Sequence, residues 1–129
     1  MEQGAEVVET SIGRAHVAQG FPPGAVPAAV RAHDRALRGS GAQILKRVND
    51  SYVTRIRHPA GGGELVVKEE RGRGNRLVRW LRRTFAPRSL QAFRVGRTLL
   101  ERGIATPEPL AALRAQANRP GYLITRYLQ

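Results

Sequence analysis

In "ELVVKEE", residues 64–70, a single lysine stands at the end of an apolar run. Alternation along an extended strand puts Val66 and Lys68 on one face and Leu65 and Val67 on the other. An apolar side chain and an ammonium on one face suit a nucleotide, since the base needs a dry apolar slot and the phosphates a fixed positive charge nearby; the plain alternative is an ordinary strand-end lysine in solvent. Within a few residues the composition changes. "NRLVRWLRRTF", residues 75–85, repeats Leu77, Trp80, Leu81, Thr84 and Phe85 at three- and four-residue spacing, with Arg76, Arg79, Arg82 and Arg83 mostly elsewhere. That pattern predicts a basic amphipathic helix over 75–86. Three uses fit it: packing Trp80 and Phe85 on a sheet with the arginines in solvent, lying on an anionic membrane surface, or binding nucleic acid. Packing is the default, and nucleic acid is the least favoured.

Other chemistries find little support. The histidines His16, His33 and His58 lack ligand-like spacing, so no metal site is expected, and neither a Ser-His-Asp set nor a paired-carboxylate site can be assembled from residues so dispersed. The absence of cysteine removes disulfides, thiolate ligands and thiol nucleophiles. Residues 1–70 hold nine basic and eight acidic side chains, whereas residues 71–129 hold thirteen basic residues against Glu101 and Glu108 alone. The resulting field favours anionic partners without choosing among nucleotide, lipid and nucleic acid. The N-terminal stretch has acids where a signal peptide needs basic residues, and no run reaches the length of a membrane span. A cytoplasmic location is expected, with the inner membrane as a peripheral contact.

The elements that would carry these side chains follow from breakers and period. Residues 1–20 lack a clear period and read as an irregular or weakly helical arm. Pro27 suits a first helical turn, Ala28 to Arg38 favours helix, and Gly39 and Gly41 stop it. Strands are expected at about 42–49, 51–58 and 64–70, separated by Asn49-Asp50-Ser51 and by Pro59 to Gly63. After the basic helix, a second helix runs from Ser89 as N-cap to Arg102. Leu90, Phe93, Leu99 and Leu100 give it apolar contacts, and Gly103 ends it. "PLAALRAQ" and "GYLITRYLQ" complete the set as strands around a polar turn at Asn118 to Gly121. The reading is an α+β chain: an arm and short helix over 1–40, then over 41–129 a five-stranded, mainly antiparallel sheet with one or two helices packed on it.

"ELVVK", the arginine-rich "RLVRWLRRTFAPR", "LLERGIATPEPLA" and "YLITRYL" occur in that order. With them, the stretch from Ile44 to Leu128 resembles the lipopolysaccharide core kinases, the Kdo and heptose kinase family of the protein-kinase-like superfamily, over the small N-terminal lobe. The resemblance implies that ATP binds with Leu45 and Val53 covering the base from the first two strands, Val66 touching it from the third, and Lys68 holding the phosphates. Thr125 would be the gatekeeper, and the backbone of Arg126, Tyr127 and Leu128 the hinge that bonds the adenine edge. It also implies a lipid-linked core sugar as acceptor and Mg2+ held by a second, C-terminal lobe, while Arg76, Arg79, Arg82 and Arg83 are the candidates for contact with an anionic surface.

The departures carry expectations too. "KRVNDSYV", residues 46–53, matches a phosphate-covering loop but has no glycine, although Asn49 to Ser51 could offer turn amides. The helix position whose glutamate would pair with the lysine falls on Ala92, and Glu101, nine residues on, should face away. After Asp50 there is no aspartate and after His58 no histidine, so neither a catalytic H-x-D loop nor a D-F-G-like metal loop is present. The chain therefore reads as a small lobe without its partner lobe, a fragment or truncated product, and is expected to be inactive alone. A non-catalytic basic module that binds anionic lipid or nucleic acid through the arginines is the alternative.

Overall fold

The computed structural model describes residues 5–39, 43–48, 51–70, 88–114 and 120–127. Seven strands form one antiparallel sheet: β1 (Ala5–Thr10), β2 (Gly13–Ala18), β3 (Gln43–Val48), β4 (Ser51–Arg57), β5 (Glu64–Glu70), β6 (Pro109–Leu113) and β7 (Gly121–Arg126), in the spatial order β1-β2-β6-β7-β5-β4-β3. Helix α1 (Ala25–Leu37) lies between β2 and β3 in the chain, and α2 (Arg88–Glu101) precedes β6. The fold is α+β, as expected, but the sheet has two more strands than the five foreseen. The basic helix expected at 75–86 and the turn at 118–119 lie outside the described residues, as does Leu128.

The two extra strands come from residues read as an irregular arm. Thr10 pairs with Gly13 across a two-residue loop, and the loop closes on itself through Thr10 Oγ1, which donates to Gly13 O at 2.6 Å and accepts from Ile12 N at 3.2 Å. Ala15 and Val17 are fully buried while Arg14 and His16, which alternate with them, are not, which is the period of a strand with one face in the core. Through β2 the hairpin continues the sheet beyond β6.

The helices take opposite faces. Ala25, Val26, Ala29, Val30, His33 and Ala36 form one stripe of α1, and Val26, Ala29 and Val30 share a buried cluster with Ile56, Leu65, Val67 and Ile124. Helix α2 sits on the other face, where Phe93 packs with Ala18, Ala112 and Leu123. Each of those three strand residues neighbours a member of the first cluster, Val17, Ala111 or Ile124, so alternation alone requires two sides. Ser89 is not the N-cap: it lies within the first turn of α2, and its buried hydroxyl donates to Leu113 O at 2.7 Å, pinning the helix start to the end of β6. Leu100, expected as an apolar contact, is 37% exposed, whereas Leu90 and Phe93 are buried.

Gly103 ends α2 as expected, at φ +78, with its N–H on Leu100 O at 3.0 Å and the Ile104 N–H on Leu99 O at 2.9 Å. These two bonds satisfy carbonyls that the helix end leaves open, and only glycine adopts that φ without cost. Gly103→Ala is expected to lose about 1 kcal/mol, read as a lower urea midpoint at unchanged m-value. No helix among the described residues is long and apolar enough to cross a membrane.

Candidate functional site

Strand β5 runs between β4 and β7, and this adjacency assembles the candidate surface. Val53 on β4, Lys68 on β5, Leu123 on β7 and Ala112 on β6 are successive cross-strand partners, and Arg55, Val66, Thr125 and Pro109 form the neighbouring row. Antiparallel partners point to the same side, so Val53, Val66, Lys68 and Thr125 share the face that carries α2. Val53, Val66 and Thr125 are half-buried, and the Lys68 side chain is 45% exposed. The Lys68 side chain thus shares a sheet face with the half-buried Val53, Val66 and Thr125 and is itself partly open to solvent.

The other expected base-covering group lies apart. Leu45 is 43% exposed on the edge strand β3, where the register shifts between Ile44 and Lys46, so the bulge takes it out of the row that holds Val53. In the expected hinge, the Arg126 N–H donates to Glu108 O at 2.9 Å and the Tyr127 N–H to Glu64 O at 3.0 Å. Two of the three hinge donors are therefore already used by the sheet, and Arg126 also turns its side chain to Glu108, Nε to Oε1 at 3.1 Å.

Beside Val66 the structure adds a group that sequence reasoning did not single out. The Arg55 guanidinium lies 4.4 Å from the centre of the Tyr127 ring, with Nε donating to Glu64 Oε2 at 2.8 Å and Nη1 to the Tyr127 hydroxyl at 3.1 Å. The Glu64 hydrogen bond holds the guanidinium charged above its ordinary range, burial opposes this, and the Glu64 charge and Tyr127 add to it. A flat, charged plate consequently braces the end of β7 against β4. Alternation from Val53 to Arg55 was the signal that could have found it.

On the opposite face, Glu69 reaches into the core. Its Oε1 lies 2.7 Å from His33 Nε2, and His33 Nδ1 lies 2.7 Å from Thr54 Oγ1, all three residues being at most 1% exposed. Tyr122 meets the imidazole edge-on, with ring centres 5.9 Å apart. His33, Asp34 and Glu69 each offer a ligand atom, all within 4.8 Å of one another. Both imidazole nitrogens are engaged, however, and a cation would have to break the His33–Glu69 bond, whose two partners are buried. The arrangement suits a structural tie between α1 and the sheet. His16 and His58 lie elsewhere, His58 accepting from Ala60 N at 3.1 Å and tilted against Phe21.

Lys68 Nζ lies 3.5 Å from Glu70 Oε1. Ala92 on α2 is exposed and carries no acid, and Glu101 is exposed at the far end of the same helix. Comparison with protein-family models, curated proteins and solved structures finds no match for this chain.

Proposed function

We propose that this chain binds ATP on the face of Val53, Val66, Lys68 and Thr125, as the small lobe of a lipopolysaccharide core kinase of the Kdo or heptose type. The observation that carries the reading is the insertion of β7 beside β5. Val66 stands directly opposite Thr125 with Lys68 on the same face, so a base held at the end of β7 would have its phosphates within reach of the ammonium. Transfer of the γ-phosphoryl to a sugar hydroxyl, and the Mg2+ that it needs, are assigned to a second lobe, since residues 71–129 contain no aspartate or histidine. A lipid-linked core sugar is the proposed acceptor, and an anionic membrane surface the proposed peripheral contact through Arg76, Arg79, Arg82 and Arg83.

The test is nucleotide binding by calorimetry. A charge-assisted hydrogen bond contributes about 1.5–3 kcal/mol, so Lys68→Ala should weaken ATP by roughly ten- to a hundredfold while Arg79→Ala and Arg82→Ala leave it unchanged. The excess of basic residues in the second half favours a second reading, a basic module for anionic lipid or nucleic acid. That reading expects the reverse pattern, with polyanion binding that falls steeply with salt and is lost in the arginine variants. ATP binding indifferent to Lys68 would remove the kinase reading.

A further inference from the structure

We infer that Glu70 is the acid that positions the Lys68 ammonium, a role that rests on the nucleotide reading of this face. Lys68 and Glu70 are two residues apart on one strand and so project from the same face, with Nζ 3.5 Å from Oε1. The acid is the better held of the two, its side chain 26% exposed against 45% for the lysine. Backbone pairing fixes it on both sides, to Ser51 on β4 and to Gly121 on β7.

Between the two, Glu69 points the other way and is tied to His33 in the core. The strand end is therefore clamped from below while Lys68 and Glu70 stand above it. Successive acids serve opposite faces: Glu69 fixes the backbone, and Glu70 directs the ammonium. At 3.5 Å the contact orients the charge without enclosing it, so protons of the ammonium remain free to donate to phosphate oxygens. Helix α2, which lies over the same face, has alanine at position 92 and does not supply that direction.

The experiment uses the whole chain and MgATP as probe, with Glu70→Gln, Glu70→Asp, Lys68→Ala and, as a control away from the site, Glu101→Gln. Exposed ion pairs of this kind change an equilibrium by up to about fivefold, so Glu70→Gln should weaken ATP about two- to fivefold, Glu70→Asp should recover part of the loss, and Glu101→Gln should change nothing. The chain has two lysines, Lys46 and Lys68, so reductive methylation with 13C gives a spectrum simple enough to assign. The Lys68 methyl signal should sharpen in Glu70→Gln as the ammonium gains freedom, a change that loss of fold stability alone would not confine to one lysine. Unchanged or tighter ATP binding in Glu70→Gln, an equal loss in Glu101→Gln, or an unaltered Lys68 signal would each overturn the role of Glu70. If Lys68→Ala still weakens ATP in those cases, the nucleotide reading survives. If the unsubstituted chain takes up no ATP, both fall together.

Discussion

Replacing His33 by alanine is expected to lower the unfolding free energy by about 3–5 kcal/mol, because it breaks a buried pair and leaves the other partner in place. The ring is fully buried and makes two 2.7 Å contacts, to Thr54 Oγ1 and Glu69 Oε1. Two proton arrangements satisfy both contacts. In one, a neutral ring donates from Nε2 to the carboxylate and accepts the Thr54 hydroxyl proton at Nδ1. In the other, an imidazolium donates from both nitrogens. Truncation removes both bonds in either arrangement, and a cavity is added where the ring met Tyr122. Since domains of this size are stable by only about 5–15 kcal/mol, the loss is a large fraction of the whole. The thermal midpoint, followed by circular dichroism, should fall by more than about 10 °C. Glu69→Gln, which keeps the volume and one hydrogen bond, should cost less. A loss below about 1 kcal/mol for His33→Ala would mean that this tie does not hold α1 to the sheet.

That tie also marks where sequence reading reached its limit. Thr54 and Glu69 lie 21 and 36 positions from His33, and each of the three is an ordinary polar residue within its own element. Only the docking of α1 over β4 and β5 brings them together, so His33 reads in one dimension as a scattered histidine. The side of Lys68 was legible, because alternation is local: Val66 and Lys68 do share a face, and the register puts Val53 and Thr125 there too. Strands β3, β4 and β5 fall within a residue of their expected limits because glycine, proline and the Asn-Asp pair stand between them in the sequence. The β1–β2 hairpin escaped because its inward residues are small. Ala15 and Val17 alternate over too few positions, beside Arg14 and His16, to stand out. Leu45 was misplaced for another reason: a bulge changes the parity of a strand, and nothing in "QILKRV" announces one.

Phe93→Ala should be the second large loss, about 3 kcal/mol, at the low end of the range for a buried aromatic. The ring is 1% exposed, but the buried cluster around it is small: Ala18 and Ala112, with Leu123 only partly covered. The two alanines make room for the ring and draw the helix close to the sheet. A Cβ on Gly96 would already lie 3.1 Å from Pro109 Cγ, so little space remains between α2 and β6. Without the ring, α2 would be held mainly by Leu90 and by the Ser89 hydroxyl on Leu113 O, and the helix can settle or swing rather than leave a full cavity. The contacts of Phe93 and of His33 have no residue in common and lie on opposite faces, so the double variant should lose the sum of the single losses within about 0.5 kcal/mol. Their effects on the lysine face should differ. Leu123 is both the packing partner of Phe93 and the cross-strand neighbour of Lys68, so if the proposed ATP binding holds, Phe93→Ala should also weaken it at temperatures where the variant remains folded. Folded Phe93→Ala protein with undiminished ATP binding would show that α2 supports the sheet without shaping the lysine face.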